Sequence, residues 1–181
     1  MNRIRCESKF DSKSRGNFFK CYYIHRSKTA YIYIVLFIVL VIMAISQMIS
    51  GTASTSSVIV GWSMCGIIGI IMPVVLVGRC NSAIRQEARE LGDKVEVIEF
   101  SKDKISVAVQ GMKTNVYAWK VIEQVYESKQ EIFLFGAQDS GFVIKKSDIV
   151  GGEEALEALI RIIKANIPQG KKGPKYKKLY K

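Results

Sequence analysis

Residues 30–49, AYIYIVLFIVLVIMAISQMI, and residues 58–77, VIVGWSMCGIIGIIMPVVLV, decide the architecture of this 181-residue chain. Both lie inside a run of 50 residues, Thr29 to Gly78, that holds no Asp, Glu, Lys, Arg or His. Twenty apolar residues match a hydrocarbon core of about 30 Å at about 1.5 Å per residue. In hydrocarbon a segment must satisfy its own backbone hydrogen bonds, so each stretch is expected as a spanning helix. The small, polar run between them, Ser50 to Ser57, suits a short connection in water. A two-helix transmembrane hairpin over residues 29–78 is the expected result.

The flanks orient it. Arg26 and Lys28 precede the first span, Arg79, Arg85 and Arg89 follow the second, and the connection is uncharged. Positive flanks stay inside, which predicts a multi-pass protein of the cell membrane with both termini cytoplasmic. Tyr22, Tyr23, Tyr31 and Tyr33 then fall near the inner headgroups and Trp62 near the outer ones. A cleaved signal peptide is the competing reading of the first 50 residues, with Gly51 to Ala53 small enough for a peptidase. Its basic region and apolar core are both long for a signal, and a second apolar segment follows. Neither span carries a charge, so a proton or ion pathway has no residue to run on. Gly61, Cys65 and Gly69, with Pro73 after them, recur every four residues and form a shallow stripe. Such a stripe is a helix-packing seam, against the chain's own first helix or in a homo-oligomer.

The net charge of +11 and pI near 9.5 raise the question of nucleic acid. The excess is confined to the ends. Residues 1–28 hold eight Lys/Arg against Glu7 and Asp11, and residues 168–181 hold six Lys and no acid. Residues 79–167 hold 13 basic and 14 acidic residues, so the folded part is close to neutral and a nucleic-acid partner is not expected. The tail lysines Lys171, Lys172, Lys175, Lys177, Lys178 and Lys181, interleaved with Tyr176, Leu179 and Tyr180, suit anionic membrane lipid. Each lysine near such a surface contributes on the order of 1 kcal/mol. A solvated, disordered end and an RNA contact are the other readings of the same charges. Cys6, Cys21, Cys65 and Cys80 form no C-x-x-C pair and read as reduced thiols.

Beyond Gly78 the chain turns polar. Ala83 to Leu91 has helical spacing and stops at Gly92, giving a helical connector over 79–92. From there the period becomes two, as in Ile105, Val107 and Val109. Turn residues separate six expected strands: Lys94 to Phe100, Lys104 to Gln110, Lys113 to Trp119, Val121 to Glu127, Ile132 to Phe135 and Phe142 to Ile144. Gly111-Met112 suits a two-residue hairpin. Ile132 to Phe135 is apolar on both faces, so it belongs in the middle of a sheet. Leu156, Leu159, Ile160, Ile163 and Ile167 lie on one face of a final helix, with Glu153 and Glu154 in its first turn and Pro168 as its stop. Strands capped by one amphipathic helix are the plan of a small antiparallel, pleckstrin-homology-like half-barrel over 93–167. The expected fold is thus an α+β membrane protein: a basic cytosolic arm (1–28), the hairpin, the connector, this domain, and a Lys-rich tail (168–181).

Nothing in the sequence assembles a catalytic centre. His25 is the sole histidine, and no metal-ligand spacing surrounds it. Glu153, Glu154 and Glu157 are explained by helix position and exposure. No phosphate loop, dinucleotide fingerprint, nucleophile elbow or zinc-protease motif occurs. No catalytic residue, metal or cofactor is therefore expected. Tyr117 and Trp119 share one strand face, which is core or an aromatic groove, and core is the economical reading.

The segment Val116 to Ser128, then Ile132 to Phe135, then Phe142 to Ser147, resembles the C-terminal domain of the YcxB-like family of bacterial membrane proteins. Trp119, followed by Ile122, Val125 and Glu127, anchors the likeness, and Lys145 stands where that family carries a proline. The resemblance implies two membrane spans and a cytosolic pleckstrin-homology-like domain, and implies no activity. The expected function is a non-enzymatic membrane protein that displays a recognition module near the anionic inner leaflet, with a protein partner or a second copy. The alternative is an accessory subunit that packs on a larger membrane complex through Gly61, Cys65 and Gly69.

Overall fold

The computed structural model describes residues 3–51, 54–136, 140–170 and 173–180. The chain forms two compact units, Met1–Phe18 with Ile84–Lys181, and Phe19–Ala83.

The second of these contains one long apolar helix and the apolar part of another. Helix α2 covers Lys28–Ser50 and α3 covers Thr55–Leu91. Ser27 caps α2 by accepting from the Ala30 amide at 3.2 Å, and Gly51 ends it in the left-handed conformation at φ +63°. The connection is therefore shorter than Ser50 to Ser57, and of that connection Thr52 and Ala53 lie outside the described residues. Both helices are long and apolar enough to cross a membrane, and only 6% of each apolar window is buried within the chain. A core helix of a soluble domain would be covered; these present Ile, Val and Met outward along their length. α3 is about 55 Å long at about 1.5 Å per residue, well beyond a bilayer core. The expected connector 79–92 is simply its polar continuation, ended at Gly92 with φ +51°.

The other unit is built on antiparallel sheets. One sheet has the order β1-β2-β3-β4, with β1 Ile4–Lys9, β2 Val95–Phe100, β3 Lys104–Val109 and β4 Asn115–Ala118. The second contains β5 Ile122–Glu127, β6 Glu131–Gly136 and β7 Gly141–Lys145. The six expected strands are all present. The Gly111-Met112 hairpin differs: β3 stops at Val109 and β4 starts at Asn115, so the link is longer than two residues, although the Met112 amide donates to the Val109 carbonyl at 2.9 Å. Helix α4, Gly152–Asn166, buries Leu159 and Ile163 in the core, with Ile167 beyond its end.

The largest departure from the sequence reading lies in the N-terminal arm. Residues 1–28 hold β1 and a helix α1, Ser12–His25, rather than only a basic arm. β1 pairs antiparallel with β2 from Ile4 opposite Phe100 to Lys9 opposite Val95. Its alternation has a simple cause: Ile4 and Cys6 point into the core while Arg5 and Glu7 face solvent. The need for α1 comes from β6. Ile132 and Leu134 face the main core, so Phe133 and Phe135 emerge on the opposite face and require their own cover. Phe18 supplies it, 1% exposed, stacked on Phe135 at 4.5 Å and edge-on to Phe133 at 6.4 Å. Arg15 forms a two-point ion pair with Glu87, and Asp11 binds Lys145 at 2.7 Å, fastening the start of the helix. The domain thus takes in residues on both sides of 93–167.

Candidate functional site: a buried glutamate and the C-terminal strand

β5 buries Ile122 and then Val125, Tyr126 and Glu127 in succession, with a register shift between Ile122 and Gln124. At its end Glu127 is 1% exposed. A carboxylate at that depth demands compensation, because desolvation of a lone charge costs several kcal/mol. The compensation comes from two places. Lys146, one residue past β7, donates its ammonium to Glu127 Oε1 at 2.6 Å. The rest comes from the expected Lys-rich tail. Tyr176 donates its hydroxyl to Glu127 Oε2 at 2.5 Å, and Tyr180 donates to Oε1 at 2.6 Å. Lys178 stands 3.9 Å away.

The backbone explains how two tyrosines four residues apart reach one carboxylate. Tyr176–Lys178 form a strand, β10, after a small ribbon of β8 Gln169–Gly170 and β9 Gly173–Pro174. β10 lies parallel to β5, with Tyr176 opposite Val125 and Lys178 opposite Glu127, so the second sheet reads β10-β5-β6-β7. The Val125 amide donates to the Lys175 carbonyl at 2.9 Å and the Leu179 amide to the Glu127 carbonyl at 2.8 Å. Extended backbone turns every second side chain the same way, so Tyr176, Lys178 and Tyr180 face Glu127 while Lys175 and Lys177 face away. Cation-ring contacts reinforce the arrangement: Lys164 lies 4.9 Å from the Tyr176 ring centre and Lys146 lies 5.0 Å from that of Tyr180.

The electrostatics follow from this geometry. Burial works to raise the Glu127 carboxyl, but the hydrogen bonds from Lys146, Tyr176 and Tyr180 outweigh it and hold the group at about 2. Burial, joined by the Glu127 carboxylate, pushes the Tyr176 hydroxyl up, which keeps it a proton donor. Asp11 is likewise held at about 2, chiefly by its hydrogen bond from Lys145. An open cleft of about 460 Å³ beside this region is lined by Lys13, Lys129, Lys145 and Lys146 together with Asp11 and Glu131, so acids already neutralise half of its cations.

The residues expected from the sequence are distributed as follows. Of the tail lysines, Lys175, Lys177 and Lys178 are exposed, and Lys171, Lys172 and Lys181 lie outside the described residues. The tail over its described part is a docked strand rather than a free basic end. Gly61 and Gly69 pack against the chain's own α2: a Cβ at Gly61 meets Gln47 and Ala44 at 3.6 and 3.9 Å, and one at Gly69 meets the Phe37 ring at 3.0 Å. Cys65, between them, is 5% exposed. Trp119 is 4% exposed and donates to the Ser101 carbonyl at 2.9 Å, so it is a core residue. It opens a short 3-10 turn, Trp119–Val121, and so leaves the strand that carries Tyr117. Among the described residues, no three metal-capable side chains converge.

Sequence reasoning missed Glu127 as a site residue. A usable sign was present, since an acid follows Val125 by two positions and so occupies a core-facing place in an alternating strand. Compared with protein-family models, curated proteins and solved structures, the chain matches none.

Proposed function

We propose that this chain is a non-enzymatic, multi-pass protein of the cell membrane, its hairpin crossing twice and its termini cytoplasmic. On this reading it displays a pleckstrin-homology-like recognition module near the anionic inner leaflet. The observation that carries the reading is the pairing of β1 with β2. These strands precede and follow the two apolar helices in the chain, and hydrogen-bonded neighbours must share one side of a bilayer. That favours an even number of crossings between Lys9 and Val95. The charged flanks Arg26, Lys28, Arg79, Arg85 and Arg89 then favour the cytoplasmic side.

The meander β1-β2-β3-β4, the three strands β5-β6-β7 and the closing helix α4 are the features that support the pleckstrin-homology-like plan. Lys175 and Lys177, turned away from Glu127, are the described tail lysines free to face an anionic surface. The test is a pair of reporter fusions. A fluorescent protein that folds in the cytoplasm, fused after Lys181, is expected to light up, and a phosphatase active only outside, fused at Ser54, is expected to work. A silent fluorescent fusion with an active phosphatase after Lys181 overturns the reading.

A further inference from the structure

The Glu127 site has the features of a receptor for a peptide rather than of a core. The segment from Lys175 to Tyr180 buries no side chain completely; Tyr176, Leu179 and Tyr180 are half-buried and the lysines are exposed. The hydrophobic core draws its fully buried members from Ile4 through Ile167, and Tyr176 only packs against its rim. What holds the segment is directional: a parallel ladder to β5, two hydroxyls on one carboxylate, and two ammonium groups over two rings. This is the chemistry of strand addition, in which the backbone supplies affinity and alternate side chains supply selectivity. One of the partners of Glu127 lies outside the segment: Lys146, from beyond β7, pairs with it at 2.6 Å.

From this we infer that the edge of β5, with Glu127 and Lys146, is a peptide-binding site for extended, lysine-rich segments with tyrosines four residues apart. The chain's own Lys175–Tyr180 is the ligand bound in cis, and a segment of the same chemistry added in trans exchanges with it. The buried carboxylate reads hydroxyl donors at the first and fifth positions. It refuses a phosphotyrosine at either, because a phosphate brings roughly two negative charges against Glu127.

The experiment uses the full chain in detergent micelles, a variant ending at Ile167, and a fluorescent peptide with the sequence of residues 173–181. The truncated chain is expected to bind the peptide saturably and at least tenfold more tightly than the intact chain, whose site is already filled. Glu127→Gln in the truncated chain, or phosphotyrosine in the peptide, is expected to weaken binding at least tenfold. A scrambled peptide of equal charge that binds as tightly overturns the site, because attraction to charge alone would then explain the contact. Should the truncated chain fail to fold, the intact chain still decides. Glu127→Gln is expected to speed trypsin cleavage after Lys175, Lys177 and Lys178 at least tenfold while residues 95–167 stay resistant, and an unchanged rate there overturns the proposal.

Discussion

Glu127 concentrates the chemistry of the molecule in one side chain, and its protonation links that chemistry to pH. Its folded value of about 2 lies below the ordinary 4.5, so its contribution is present above pH 4.5 and is lost as pH falls from 4.5 toward about 2. Once protonated, it loses the ion pair with Lys146, whose ammonium stays charged and is left beside a neutral acid. Exchange protection of the Leu179 amide, which donates to the Glu127 carbonyl, is expected to fall through that window. Asp11 titrates over a similar range, so the control is Glu127→Gln, in which the Leu179 amide is expected to be less protected at neutral pH and to show no acid step of its own. At neutral pH the same substitution is expected to weaken docking of the segment by about 2 kcal/mol, since hydrogen bonds to a charged group are the stronger kind. An acid step that persists in Glu127→Gln would assign the transition to another carboxylate.

Elements were legible in the sequence to the degree that one periodicity, bounded by turn residues, specified them. β2 through β7 and α4 were readable because alternation, an apolar run such as that of β6, or a helical stripe lay between Gly, Ser and Asp turns. α1 was not, because its buried stripe of Ser14, Phe18 and Cys21 holds only one large apolar side chain, and its cover for Phe133 and Phe135 is a contact at long sequence separation. β1 was hidden for a different reason: its alternation of Ile4 and Cys6 with Arg5 and Glu7 lies in a basic stretch, with its partner strand β2 beyond both apolar helices. The tail site failed for a third reason. Lysine content pointed outward to lipid, while its position is set by two tyrosines and by an acid some fifty residues away. The weight assigned to α1 is testable. Phe18→Ala is expected to destabilise the sheet-containing unit by about 3 kcal/mol, the usual range for emptying an aromatic site in a core. Denaturant unfolding followed by Trp119 fluorescence reads it, and a loss well under 1 kcal/mol would mean that α1 is not the needed cover of β6.

At the scale of the whole molecule, the chain places two membrane-length helices between neighbouring strands of a β-meander, and on the proposed membrane reading folding then depends on the parity of crossings. β1 and β2 form six residue pairs, yet some eighty residues separate them in sequence, among them both apolar helices. Any odd number of crossings would put the two strands in different compartments without altering a residue of either. One extra copy of residues 50–77, which carries its own polar connection, inserted between Gly78 and Arg79 is therefore expected to destroy the pairing. Two extra copies are expected to restore it. The measurement is proteolysis of membrane-inserted protein within Val95–Phe100, with cleavage at least tenfold faster for the single insertion and near the original rate for the double one. Equal resistance in all three would mean that the pairing does not require an even number of spans, and the hairpin topology would lose its main support. The extra sequence itself is controlled, since the double insertion perturbs the chain more than the single one and is nonetheless expected to behave like the parent.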